Sequence, residues 1–335
     1  MFRVRGINLI NDYFFIGDMM VKSDVVGSVE MGRKKEFLSK KQKDFIFVWA
    51  MLSVAILNFL VFWVYVNIKT ILMAFQEPLD NGTGVYFTLA HFQQVWIELT
   101  TDGGKMLGAF KNTMSAFVFN NFISFPITIV FSYFLFKKVL MYRTFRVVFF
   151  LPSVISAVVM TTMFKYFIGV DGPVQRFFEL LGGDIADYPM FLNHPSTAFG
   201  SILFYDFWSG IGYSIIIMSG AIYRIPNSIF ESAKLDGITM FREFINMVLP
   251  LIWPTLSTYL VFRIAGVFTY TGPILLFTDG AYNTYTIGFY IFEQVKYYNQ
   301  LYYPSAVSLF WTALGIPLVF ICRWFIEKFG SDIDY

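Results

Sequence analysis

A chain of 335 residues that is 56% hydrophobic and only 14% charged lies outside the range of soluble domains, which hold about 45–50% and about 25%. Its mean hydropathy of +0.59 and its long uncharged apolar runs exclude an ordinary cytosolic enzyme and define an all-α, polytopic membrane protein. A net charge of +2 is too small to point to nucleic acid, and the single cysteine, Cys322, excludes an intramolecular disulfide.

Residues 1–44 lack an apolar core and end in a basic run from Arg33 to Lys43. They are therefore expected to be a cytoplasmic segment held by the anionic inner leaflet, without a cleavable signal peptide. Six transmembrane helices are predicted at 45–68, 112–136, 147–164, 196–223, 244–278 and 297–322, within a permease domain of 45–329 followed by a 330–335 tail. With the N-terminus inside, eighteen Lys/Arg fall on cytoplasmic segments and six on external segments and outer span ends, which places both termini in the cytoplasm. Lys69 and Lys165 sit near span ends, where a snorkelling lysine needs no further role. External segments of roughly 20 to 40 residues follow spans one, three and five, too short for separate folded domains. Asn81-Gly82-Thr83 matches a glycosylation sequon and is read as a turn.

Several chemistries lack support. His91 and His194 stand far apart in external loops without a second His or Cys nearby, so both are read as surface residues and no metal site is expected. Gly103-Gly104-Lys105 is followed by Met106 and does not form a phosphate loop, so any ATP must be hydrolysed by another chain. Cys322, inside an apolar span, is read as an inert small hydrophobe.

The segment between spans four and five is the most informative. Pro226 breaks the helix, Asn227 and Ser228 offer a cap, and Ile229, Phe230 and Ala233 fall on one face of a short helix at about 228–240, with Glu231 off that face. Gly237 then allows a turn. Such a helix, with one carboxylate among small neighbours, is shaped to enter a cleft on another protein.

The residues Glu231, Ala233, Asp236, Gly237, Phe244, Leu249, Pro250 and Pro254 resemble, in register, the signature loop of importer-type ABC permeases; Ser232, Ile238 and Met247 depart from it conservatively. The run from Arg143 to Pro152, and Asn283-Thr284, Tyr290-Ile291-Phe292 and Tyr303-Pro304-Ser305-Ala306, resemble the carbohydrate branch of that family, roughly over 45–329. The resemblance implies the type I importer permease fold and a multi-pass permease subunit in a bacterial inner or plasma membrane, importing a carbohydrate, read as an oligosaccharide. It also implies a second homologous permease, two ATPase subunits that hold ATP and Mg, an extracellular solute-binding protein, and no catalytic residue, cofactor or metal in this chain. Glu231, Ser232, Ala233, Asp236 and Gly237 would then dock the ATPase. The alternatives are an importer of the same architecture for a non-sugar solute, and a stand-alone secondary transporter or channel, for which no internal repeat is visible.

Asp206 and Arg263 are the charges that interrupt spans four and five. They are either a mutual ion pair or contacts in the substrate path. At 1.5 Å per residue each lies about 27–29 Å along its helix from the cytoplasmic end, so their depths match. The family's sugar contacts come from the same two helices, which adds Ser209, Gly210 and Tyr270. Tyr270, two turns beyond Arg263 on the same helical face, is placed to stack on a sugar ring, and the guanidinium suits hydroxyls or a uronate carboxylate.

Overall fold

A computed structural model describes residues 39–79 and 84–329. The expectations for residues 1–38, for Asn81-Gly82-Thr83 and for the 330–335 tail lie outside the described residues.

The described residues divide into two units that part between Val61 and Phe62. In the first, α1 (Lys40–Phe59) starts at a capping box: the Ser39 amide donates to Gln42 Oε1 at 2.9 Å, and the Gln42 amide to Ser39 Oγ at 3.3 Å. Beyond its charged opening Lys40–Asp44 the helix is apolar on all sides and none of its side chains is buried, the pattern of a helix that faces lipid.

The second unit opens with α2 (Val66–Ala74) and a small antiparallel pair, β1 (Gln76–Pro78) and β2 (Val85–Phe87), in which Gln76 faces Phe87. Next come α3 (Ala90–Thr100) and α4 (Lys105–Val118). A π-helical turn, Phe119–Ser124, carries α4 into α5 (Phe125–Phe136). The run continues through α6 (Tyr142–Val154), α7 (Ala157–Ile168), α8 (Pro173–Leu180), α9 (Ala198–Tyr223), α10 (Asn227–Leu235) and α11 (Met240–Glu243). A second π turn, Phe244–Val248, leads to α12 (Leu249–Leu251) and α13 (Trp253–Ala265), after which come α14 (Ile274–Phe277), α15 (Ile287–Lys296) and α16 (Tyr302–Phe329).

Four helical runs among the described residues are long and apolar enough to cross a membrane: Lys40–Ala74, Lys105–Phe136, Ala198–Tyr223 and Tyr302–Lys328. Two bent pairs, Tyr142–Val154 with Ala157–Leu180 and Met240–Leu251 with Trp253–Ala265, bring the total to six if each is one span. The second pair corrects the straight span five on which the depth arithmetic relied. The first bends by 111° just after Pro152, where Ile155 is extended (ψ 147°). The second bends by 71° at Ile252, between Pro250 and Pro254. A proline inside a helix removes one N–H and crowds the carbonyl four residues earlier, so an apolar run containing one need not stay straight.

A bilayer supplies no hydrophobic drive between helices, so packing and side-chain hydrogen bonds hold such a bundle together. The long α9 is its centre, contacted by α5, α6 and α13. At one end Phe125, Ile129, Met218, Ile222, Phe230 and Leu256 interlock α5, α9, α10 and α13. At the other, Val95, Met106, Ile287, Tyr290, Val307 and Trp311 join α3, α4, α15 and α16. Ser214 Oγ and Tyr259 Oη, 2.9 Å apart, tie α9 to α13, a contact of about 0.6–2 kcal/mol in this setting. His91, expected at the surface, is instead buried on α3, with Nε2 3.1 Å from the Gln76 carbonyl. Helix α3 turns the imidazole inward, where it meets a strand carbonyl that would otherwise lack this partner.

Candidate functional site

Two places in the bundle collect the residues singled out in the sequence. The first is a polar cavity of about 220 Å³ lined by Thr113, Asn120, Asn121, Asp206, Arg263 and Tyr270, together with small and apolar neighbours. Each polar wall has a local cause. The π turn Phe119–Ser124 widens the helix at two consecutive asparagines. The Asn120 carbonyl accepts from the Phe125 amide and also from Arg263 Nη2 at 2.6 Å, while Arg263 Nε points at Asn121 Oδ1, 3.4 Å away. The guanidinium stands over the rings of Phe125 and Tyr259, 5.5 and 5.7 Å from their centroids. Across the cavity, the Tyr270 hydroxyl donates to Asp206 Oδ2 at 3.1 Å.

Asp206 and Arg263 share this cavity without a direct ion pair: among the described residues, Arg263 has no carboxylate oxygen within ion-pair distance. Neutral amide, carbonyl and phenol groups hold the two charges instead. The depth arithmetic fails for span five, because the bend at Ile252 breaks the straight helix on which it relied. Tyr270 also arrives by a different route. Helix α13 stops at Ala265, and Tyr270 follows a short 3₁₀ turn in extended backbone (ψ 114°), so it does not continue the Arg263 face. It is held from the other side, where Thr286 Oγ1 donates to its carbonyl at 2.7 Å. A Cβ on Gly288 would come within 2.9 Å of the Thr269 and Tyr270 carbonyl oxygens, so only glycine lets α15 close so tightly on this segment. Asn112 Nδ2 bonds the carbonyls of Asn283 and Tyr285, which fastens the same loop to α4. Burial, and then its hydrogen bond to Glu293, push the Tyr285 phenol above its ordinary pKa, so it stays a donor.

A larger cavity of about 600 Å³ adjoins on the far side of Asp206, lined also by Pro152, Ser153, Tyr205, Ser209 and Phe289. Ser209 belongs to this second cavity. Gly210 lines neither, because it lies on an exposed face of α9 where an added Cβ would meet nothing. Asn120 and Asn121 were not singled out in the sequence. Their signal was two adjacent amides inside an apolar run, which a search for charge alone passes over.

The second place is α10. Phe230 and Ala233 are buried against the bundle, and Phe230 packs on Phe136 with ring centroids 5.0 Å apart. Glu231, Ser232, Asp236 and Gly237 are exposed. Leu235 is 90% exposed, and Phe241 just beyond is 72% exposed, so an apolar rim surrounds the acidic residues. Ala233, which the resemblance set among the docking residues, faces inward with Phe230, in keeping with its place on the apolar face of the helix. The helix is shorter than expected: Pro226 occupies the cap position, and neither Asn227 nor Ser228 makes a capping bond, since both already lie in the first turn. Its C-terminus is closed by the Ile238 amide on the Ala233 carbonyl and the Gly237 amide on that of Lys234, with Gly237 at φ +67°, a left-handed cap that glycine takes without strain.

The family model of the binding-protein-dependent transport system inner membrane component matches residues 121–334, and the chain belongs to that family. It is 22% identical over 286 residues to the arabinooligosaccharide transport system permease protein AraP of Bacillus subtilis, covering 84% of this chain and 87% of that one. To the polygalacturonan/rhamnogalacturonan transport system permease protein YteP of the same organism it is 24% identical over 312 residues, covering 90% and 94%. In fold it is similar to a chain of a bacterial ABC transporter that imports the acidic polysaccharide alginate. That match has a TM-score of 0.74 at 23% identity and covers 87% of this chain and 99% of the other. The chain is thus a multi-pass membrane component of a transport system.

Proposed function

We propose that this chain is one permease subunit of an ATP-driven importer that moves a carbohydrate, of oligosaccharide size, inward by alternating access. The observation that carries the reading is the polar cavity inside the bundle, where a carboxylate, two amides, a guanidinium and a phenol stand together. That mixture of donors and acceptors with an aromatic edge recognises a polyhydroxylated ligand. The adjoining 600 Å³ volume gives room for further sugar units. The names of the arabinooligosaccharide and polygalacturonan relatives support the same substrate class.

In this reading the permease domain is 45–329, flanked by a cytoplasmic segment and tail, and both termini and α10 face the cytoplasm of a bacterial cell. A second homologous permease completes the pathway, two ATPase subunits carry ATP and Mg, one docking on α10 and the other on the second permease, and an extracellular solute-binding protein delivers the sugar. Closure of the ATPases draws the docking helices together and turns the cavity from inward-facing to outward-facing. Reconstitution tests this: sugar uptake into proteoliposomes is expected to require ATP, the ATPase subunits and the binding protein together. Movement of solute down an ion gradient by the chain alone sinks the reading in favour of a secondary transporter or channel.

The orientation has its own test. With Cys322 replaced by alanine, Ser228→Cys is expected to resist an impermeant thiol reagent in intact cells and to react once the cells are opened. Labelling in intact cells inverts the topology and removes the docking assignment with it.

A further inference from the structure

Below the docking helix lies a buried ionic cluster that takes no part in either site. Lys137, which caps the end of α5, forms an ion pair with Glu243 at the end of α11; their side chains are 15% and 5% exposed. The Tyr133 hydroxyl is 3.1 Å from Glu243 Oε1 and 3.1 Å from the Met240 carbonyl. The Lys137 ammonium stands 5.0 Å from the centroid of the Phe230 ring, on the buried face of α10, and the Tyr133 ring lies 5.0 Å from Phe244. One cluster therefore joins three elements: the foot of α5, the inner face of α10, and the first turn of the bent fifth span. Glu243 is 4% exposed, so it is screened from any protein that meets α10.

The two long elements joined here are the same two that meet at the polar cavity. The run Lys105–Phe136 carries Asn120 and Asn121, and the run from Met240 to Ala265 carries Arg263. An ionic tie before the 71° bend of the second run and a set of hydrogen bonds beyond it join the two at two levels, with α10 packed beside the first. We propose that Lys137, Glu243 and Tyr133 are positioning residues that transmit movement of the docking helix to the Asn120–Asn121–Arg263 wall of the cavity. The buried pair suits this work, because charges withdrawn from water hold to each other or disrupt the structure and do not slide. The proposal rests on α10 being the ATPase-docking element.

The test uses the assembled transporter with its ATPases and binding protein, and reads membrane abundance, co-purification of the ATPases, ATP hydrolysis and sugar moved per ATP. Glu243→Gln and Tyr133→Phe are expected to keep assembly and hydrolysis while sugar moved per ATP falls about tenfold. The exchange Lys137→Glu with Glu243→Lys is expected to move more sugar per ATP than either charge reversal alone. Unchanged sugar per ATP in both single variants overturns the proposal. So does lower abundance with normal coupling in the protein that remains, which makes the cluster a structural support; Tyr133→Phe, which removes only a hydroxyl, keeps this readable if Glu243→Gln folds poorly. Glu231→Lys is the control for the underlying reading: if it too couples normally, α10 is not the docking element, whereas if it uncouples and the cluster variants do not, the transmission role alone fails.

Discussion

Glu231→Lys is expected to leave the chain in the membrane at normal abundance and to abolish the substrate-stimulated ATPase activity of the assembled transporter. The side chain is exposed on α10 and, among the described residues, makes no ion pair or hydrogen bond within the chain, so nothing in the fold depends on it. Against a partner surface the situation reverses. Breaking a charged contact that an interface buries costs about 2–5 kcal/mol, and a reversed charge adds repulsion. Gly237→Trp is expected to act in the same direction, because a side chain at φ +67° is strained and a bulky ring would stand on the docking face. Ser232→Ala removes only an exposed hydroxyl and is expected to be silent. Normal coupling in the Glu231 variant would show that the loop does not engage the ATPase.

Arg263→Gln and Asp206→Asn are each expected to cut sugar transport by about tenfold or more and to change which sugars are carried, with abundance near normal. The fold tolerates both changes for local reasons. Without the guanidinium, the Asn120 carbonyl keeps the Phe125 amide, and an asparagine at 206 still offers an oxygen to the Tyr270 hydroxyl. What disappears is a charged hydrogen-bonding group facing the cavity, an interaction of about 1.5–3 kcal/mol with a ligand. Because the two charges make no direct ion pair, the double variant is expected to be no better than either single one. Loss of abundance in both single variants with recovery in the double would instead make them a structural pair and remove them from the substrate path.

The crossings were legible because an apolar run of bilayer length can be satisfied in few ways, and the signature spacing was legible because its glycine and prolines set backbone geometry. Where the helices bend was less so. Hydropathy treats Pro152, Pro250 and Pro254 as interruptions too small to matter, yet two of them flank one bend and the third precedes the other. Asp206, Arg263 and Tyr270 do share one cavity, although the route foreseen for Tyr270 was wrong: Gly266 ends α13, and a loop braced by Thr286 and Gly288 brings the phenol back. Asn120 and Asn121 were passed over because the search followed charge, and Lys137 and Glu243 because their roles arise from which helices meet, a pairing that a single sequence read one span at a time does not contain. His91 was misjudged for the same reason, since its partner carbonyl belongs to a strand that the apolar pattern did not mark.

The break after Pro152 has a consequence for how selectivity evolves. Where α6 ends and α7 begins, no side chain caps α7, the Ser153 hydroxyl donates to the Phe150 carbonyl in the last turn of α6, and Pro152, Ser153, Ile155 and Ala157 form part of the wall of the larger cavity. Helix ends leave carbonyls and amides without intrahelical partners, and bare main chain at membrane depth is tolerated where it lines such a space. The break therefore sets a helix end beside this space, next to the side chains that line it. Pro152 thus shapes the space without needing to touch a ligand, whereas Tyr205, Asp206 and Ser209 present side chains to the same space, so the two sets of residues answer to different demands, one of form and one of chemistry.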